Sequence, residues 1–429
     1  LEMLQFIAAK PGSQVLDILS GGGYTAQLLA LAVGPSGKVL AFNTRANQNL
    51  QDRLIANPQS NILSVLGNLN DLIPDSNGPV DMITIINSYH DMVNANPNIQ
   101  STNQRIYQLL KLILKKTLNR FIGYLPFIIC FIILCVSNTF KPISLINGFT
   151  QLILFAIVVC IPALITKRMS YVDIGWPWGL VCIGVLVLIN GEGYWVRKYI
   201  ISGMYLIAGL RMGIAALILL KKGHLNNELS RYKYQRLRWK KSGYSNIDIS
   251  LQYEIMIQCF ANVTFLALPA IIQSYNPQEF ISPLELFGYI SWIIFFIIEH
   301  VSDLQKEKFL KKSFLEKKKK QVCNVGFWRY SRHPNYFAEW MVWNSLIISS
   351  IPSLFYFYTI ESQLIWAGIF VSIIYISKIM YTTLVYYTGV IPSEYYSVLK
   401  RPDYKKMQNN TNMFFPGFPK NKFKLKNRL

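Results

Sequence analysis

At 429 residues, 52% of them hydrophobic and with a positive mean hydropathy, the chain exceeds one ordinary soluble domain and fits two units. Residues 1–100 hold four Lys/Arg against seven Asp/Glu, a net of −3, while the rest holds 39 against 15, a net of +24. In a chain with long apolar runs, that basic excess marks cytoplasmic loops and excludes nucleic acid as the partner. The six cysteines (Cys130, Cys135, Cys160, Cys182, Cys259, Cys323) form no CxxC pair and fall mostly in apolar runs, so neither a metal site nor a disulfide framework is expected.

In chain order, Ser13-Gln-Val-Leu-Asp-Ile-Leu-Ser-Gly-Gly-Gly23 reads as a strand and a glycine turn. A helix is predicted over 24–33, with further strands over 38–43 and 80–86. Glycines at the carboxyl edge of a strand, next to a helix N-terminus, let backbone approach a ligand. The segment resembles the class I S-adenosylmethionine-dependent methyltransferases, particularly a bacterial set with Gly-Gly-Gly-Tyr and a later Tyr-His-Asp, here Ser88-Tyr-His-Asp91. The resemblance implies an S-adenosylmethionine site at Asp17, Gly21, Gly22 and Gly23, with Asn43 where an acidic residue usually holds the ribose. His90 reads either as a base or as a satisfied surface histidine. A complete domain of this kind has about seven strands, and four are expected before the Asn-rich linker at 94–103. Residues 1–100 are therefore expected to be a truncated Rossmann-like α/β domain with no methyltransferase activity of its own: a remnant with a degenerate cofactor site, a gene-fusion artefact, or a domain completed by another chain. No signal-peptide pattern opens the chain, so no secretory signal is expected.

After a linker and membrane-proximal helix over 101–120, eight spans are predicted: 121–138, 145–165, 174–190, 199–220, 254–273, 283–299, 336–357 and 362–387. Loops 274–282 and 352–361 hold no Lys or Arg, whereas 221–253 holds eight, 300–335 ten and the tail after 388 nine. That alternation puts both termini in the cytoplasm, in a bacterial inner membrane or the endoplasmic reticulum. Lys317–Lys320 reads as a solvated face or a contact with anionic lipid headgroups. Asp173, Arg211, Glu339 and Lys378 fall inside spans; charge at that depth is costly, so they are expected to face a cavity or one another. A structural ion pair between helices is the alternative for Arg211 and Lys378.

The densest chemistry lies in Gly326–Glu339, between a lysine run and an apolar span. Arg236, Arg329, Arg332 and Arg401 offer guanidinium forks suited to phosphates, including a 2′-phosphate. Asn335 suits a carboxamide or ribose, and Tyr336 could stack on a ring or donate its hydroxyl. Asp303 suits a ribose hydroxyl or adenine amine, or an ion pair with Arg332. His333 reads as a cofactor contact or as a backbone-bonded residue at a helix entry.

Tyr330-Ser-Arg-His-Pro-Asn-Tyr336, with Glu339 and Trp343, resembles the C-terminal signature of the steroid 5α-reductase superfamily. The closest likeness is its bacterial and protist branch, long labelled a domain of unknown function. Asp173-Ile-Gly-Trp-Pro-Trp-Gly179, Arg211, Arg236 with Trp239, Glu299–Lys306, Arg401-Pro-Asp-Tyr404 and Thr411–Pro416 extend the resemblance over about 125–420. It implies a mainly α, polytopic membrane bundle over 121–420, a basic tail over 421–429, and NADPH held on the cytosolic side. Arg236, Asp303, Arg329, Arg332, His333, Asn335, Tyr336, Glu339, Arg401 and Tyr404 are the expected cofactor contacts. The implied reaction reduces a conjugated double bond in a hydrophobic, steroid- or lipid-like enone. In the steroid reductases the acid comes from a Glu and a Tyr on early helices; no motif here aligns with them, which leaves Tyr171, Asp173 and Glu339 as candidates. Isoprenylcysteine and phospholipid methyltransferases share the RHPxY element and bind S-adenosylmethionine there. Their usual Glu-Glu pair is missing from Pro392-Ser-Glu394-Tyr-Tyr, which favours the reductase. A membrane methyltransferase and a lipid-binding scaffold remain the alternatives.

Overall fold

The computed structural model describes residues 9–69, 80–86, 88–95, 99–242, 244, 246–317 and 321–420; residues 318–320 of the lysine run and the predicted basic tail over 421–429 lie outside them. The chain divides into two units: Leu1–Leu125 with Arg236–Glu254, and Pro126–Gln235 with Ile255–Leu429.

The first unit is built on β1 (Gln14–Ile18), α1 (Tyr24–Val33), β2 (Lys38–Asn43), α2 (Gln48–Ala56), β3 (Ile62–Leu66) and β4 (Met82–Thr84). All pairings are parallel, in the order β3-β2-β1-β4. Side chains alternate across a strand. Val15, Val39 and Ala41 therefore pack on Leu29, Ala30 and Val33 of α1, while Leu16, Ile18, Leu40 and Phe42 form a second cluster with Val65 and Val80. Glycine is required at Gly23, which has φ +80°; a Cβ there would sit 2.3 Å from Leu50 Cδ1. The predicted linker is largely helical: α3 (Tyr89–Ala95) and α4 (Ile99–Val136) take it up, and α4 joins the expected membrane-proximal helix to the first span.

The second unit is helical. α5 (Lys141–Thr166) is followed by α6 (Val172–Asn190), α7 (Trp195–Lys221) and α8 (Ser230–Lys241). Next come α9 (Ile247–Val263), α10 (Leu268–Tyr275), α11 (Pro283–Leu315), α12 (Pro334–Tyr356), α13 (Gln363–Thr382), α14 (Val390–Lys400) and α15 (Tyr404–Asn410). The fold is thus mainly α, with a small parallel sheet in front. Seven helical segments among the described residues are long and apolar enough to cross a membrane, and the chain is an integral membrane protein. The one predicted span not among them, 336–357, falls on α12, of full length but less apolar: Asn335, Glu339, Asn344 and four serines interrupt it, and Ser345, Ser349, Ser350 and Ser353 are buried. α11 runs sixteen residues past its predicted end at 299.

Every residue of α10 is buried, which makes it the centre of the bundle. The break between α9 and α10 frees carbonyls that lipid could not satisfy. Asn147 Nδ2 donates to the carbonyls of Asn262 and Val263 at 3.1 Å, and the Tyr205 hydroxyl to that of Leu266 at 2.6 Å. At the entry to α11, Ser282 and Glu285 form a capping box, and Glu285 also receives Arg197 Nε at 2.5 Å. Arg197 is wholly buried and donates to the carbonyls of Asn276, Gln278 and Phe280 as well, so this internal charge pair is completed by hydrogen bonds.

Candidate active site

Within the second unit, α6, α7, α9, α11, α12 and α13 enclose a cavity of about 580 Å³. Much of its lining is apolar, including Met212, Ala216, Ile257, Leu266 and Met380. One wall carries the charge. Asp173, Arg211, Arg231, Asp303 and Glu339 line it with the phenols of Tyr232 and Tyr336 and the ring of His300. Beyond Arg211 and Glu339 lies a narrow chamber of about 20 Å³, room for one water, bounded by Trp176, Trp292, Phe296 and Trp343. Thr383 and Leu384 enter the lining from a π turn over Thr383–Tyr387, a local departure from the α helix that recurs at functional sites.

Two ion pairs organise the charged wall. Arg211 on α7 is bonded to Glu299 on α11 and lies 4.0 Å from Asp303, one turn further along that helix. Asp303 Oδ1 in turn accepts Asn335 Nδ2 of α12 at 3.0 Å. On the other side, Asp173 at the start of α6 receives Arg231 at 2.5 Å and the Tyr232 hydroxyl, both from α8. The Asp173 carboxylate holds Arg231 firmly protonated, and burial together with Asp173 pushes the Tyr232 phenol well above its ordinary value. Among the described residues, Arg211 Nη1 and Arg231 Nε on this wall, and Asn335 Oδ1 beside it, are buried without a hydrogen-bond partner. Buried orphans are uncommon and call for an explanation, such as a ligand.

The family described as protein of unknown function (DUF1295) matches residues 158–411, more than half of the chain. The chain belongs to that family. The DUF1295 region includes every charged residue of the cavity wall and leaves the N-terminal sheet outside. No curated protein and no solved structure matches the chain.

The predicted site residues of the DUF1295 region separate into three groups. Asp173, Asp303, Tyr336 and Glu339 line the cavity, and Asn335 is tied to it through Asp303. Arg332, His333 and Tyr404 instead converge on Glu394. Arg332 Nε reaches Glu394 Oε1 at 2.6 Å, and Nη1 donates to the carbonyls of Gln408 at 3.0 Å and Thr411 at 2.5 Å. His333 Nε2 lies 3.2 Å and Tyr404 Oη 3.5 Å from the same Oε1. Burial lowers the His333 pKa against the pull of that carboxylate, and burial with Glu394 raises that of Tyr404. Arg332 does not pair with Asp303; it holds the C-terminal segment against the start of α12, where its own amide donates to the Asn412 carbonyl at 2.9 Å. Arg329 is exposed on a short 3-10 turn, Arg401 is half-buried, and Tyr171 packs with Ile174 and Leu225 away from the cavity. Arg236 lies on α8 and falls in the first unit.

Lys378 departs from the expectation for charges inside spans. It is exposed on α13 with its ammonium 5.3 Å from the Tyr375 ring, an arrangement a long side chain permits by reaching along the helix toward headgroups. Arg231, counted in the sequence only among the basic residues of loop 221–253, and Tyr232 prove to be the partners of Asp173. Their signal was the depth of Asp173 itself, which required a counter-charge from somewhere.

In the first unit, Asp17 is 1% exposed; Oδ1 accepts the Thr84 hydroxyl at 2.8 Å and Oδ2 has no partner. Asn43 is fastened to the glycine turn, accepting from the Gly21 amide at 2.9 Å and donating to its carbonyl at 3.2 Å. Gly22 stands 3.4 Å, from where its Cβ would be, to Asn49 Cβ. His90 is exposed, 3.2 Å from Asn94 Nδ2.

Proposed function

We propose that the chain is a membrane oxidoreductase that uses NADPH to reduce the conjugated double bond of a steroid- or lipid-like enone. The carrying observation is the two-sidedness of the cavity: a greasy lining wide enough for a hydrophobic body, and one wall of ionised and phenolic groups. The likeness of Tyr330–Glu339 to the steroid 5α-reductase signature supports it, because the end of that stretch forms part of the charged wall.

The residues present fit the cofactor's chemistry. Asn335, with Oδ1 buried and unpartnered, would take a carboxamide N–H, and Asp303 a ribose hydroxyl. Phosphates would fall to Arg329 and Arg401, because Arg332 is committed to Glu394. When bound, NADPH supplies a hydride. The chain has to orient the enone, keep water from the apolar side, and place donors at the carbonyl oxygen where negative charge develops.

The test is ligand-dependent stability of the full chain in detergent. Saturating NADPH at about 100 times its Kd is expected to stabilise by about 2.7 kcal/mol, and Asn335→Ala and Arg401→Ala should weaken that response. Stabilisation by S-adenosylmethionine instead of NADPH would replace this reading with methyl transfer. A response to neither would point to a lipid-binding scaffold.

A further inference from the structure

Buried tyrosines normally find a partner for the hydroxyl, and in this bundle Tyr205, Tyr232, Tyr289 and Tyr404 do. Tyr205 donates to the Leu266 carbonyl, Tyr289 to Gln273 at 2.8 Å, Tyr232 to Asp173, and Tyr404 lies against Glu394. Tyr336 differs. It lines the cavity, and among the described residues no group hydrogen-bonds its hydroxyl. Its ring is fixed all the same, stacked on His333 with centroids 5.4 Å apart and planes 8° from parallel. His333 is itself 3% exposed and held by Glu394 and, through its amide, by Ser331 Oγ at 3.1 Å. The result is a rigid phenol with a free O–H presented to the cavity. Glu339 stands three residues on, on the same helix face, and among the described residues no hydrogen bond or ion pair engages its carboxyl.

Resting on the enone reading above, we propose that Tyr336 is the catalytic acid and Glu339 its proton source. The Tyr336 hydroxyl donates to the carbonyl oxygen of the bound enone. As hydride arrives at the β-carbon, the electron pair of the double bond moves between the α-carbon and the carbonyl carbon. The carbonyl π pair takes the proton from Tyr336, giving an enol. The enol gains a proton at the α-carbon from water and releases the one on oxygen, leaving the saturated ketone. The Tyr336 phenolate regains a proton from the Glu339 carboxyl, which is refilled from water. Each double bond consumes one hydride and one proton.

Tyr336→Phe keeps the ring on His333 and removes only the hydroxyl, so it isolates the donor. The probe is progesterone labelled with ¹³C at C3, bound to the full chain in detergent without cofactor and read by isotope-edited infrared difference spectroscopy. The expected result is a carbonyl stretch lowered in the wild type and returned toward its apolar-solvent position in Tyr336→Phe, with affinity within about threefold. Under NADPH, kcat for progesterone should fall about 100-fold in the variant with KM little changed. Equal carbonyl stretches in the two proteins, or no bound progesterone, overturn the assignment. A lowered stretch without any NADPH-dependent turnover upholds the hydrogen bond and sinks the reductase reading. Turnover that survives undiminished in Tyr336→Phe does the reverse.

Discussion

Asp17 is buried at the end of β1 with one oxygen hydrogen-bonded and the other bare. Burial raises its pKa above 3.8 in spite of the Thr84 hydrogen bond. The sign follows: the unfolded chain gives up this proton more readily, so the associated stability is full below about pH 3.8 and is lost as pH rises through the folded value. Asp17→Asn should therefore stabilise the first unit at pH 7.5, with the gain shrinking toward pH 4. Hydrogen exchange of β1 and β2 amides reads this directly, and equal protection in both proteins at pH 7.5 would contradict it. Glu394 is the opposite case, a carboxylate that satisfies a nearly buried guanidinium. Glu394→Ala leaves Arg332 short of its counter-charge, and about 3 kcal/mol of stability should go with it in a denaturant titration. In the sequence Arg332 looked like a phosphate ligand because an arginine fork serves carboxylate and phosphate alike; which it meets depends on a residue 62 positions away.

Helix packing around α10 rests on small residues and amides together. A Cβ on Gly179 of α6 would stand 2.0 Å from Asn262 Nδ2 and 2.5 Å from Gln151 Oε1. Those amides hold helix carbonyls: Gln151 Nε2 reaches that of Gly179 at 2.9 Å, and Asn262 Nδ2 that of Trp176 at 3.2 Å. Gly179→Ala should thus cost about 1–3 kcal/mol, while Gly203→Ala on α7, with nothing within 4 Å, should be neutral or favourable by up to about 1 kcal/mol. A thermal-denaturation pair in detergent checks both, and equal midpoints would refute the packing argument. Trp176 lines the cavity, so Gly179→Ala should also disturb ligand binding. Strands β1 and β2 and helix α1 follow their predicted boundaries because period-2 and period-3.6 patterning is local. α11 runs past the predicted span end at 299 because Asp303 stays helical, with Arg211 and Asn335 on its carboxyl group.

For the whole molecule, the absence of Lys and Arg from 274–282 and 352–361 predicts that those loops face outward and both termini the cytoplasm. Glu279→Cys should react with a membrane-impermeant maleimide added to intact cells, and Lys312→Cys only after permeabilisation. The reverse pattern would invert the topology. Composition and hydropathy were enough to read a charge-divided chain, a short parallel α/β front and a polytopic bundle, because apolar length, strand alternation and loop charge are properties of contiguous residues. Ion partners and the line between cavity wall and structural clamp were not readable in that way. Asp173 with Arg231, Arg211 with Glu299 and Arg332 with Glu394 join helices distant in sequence, and desolvation makes each pairing a matter of where the bundle leaves space. Only packing could separate Arg332, which fastens the C-terminal segment, from Tyr336 four residues on, whose hydroxyl it leaves open to the cavity.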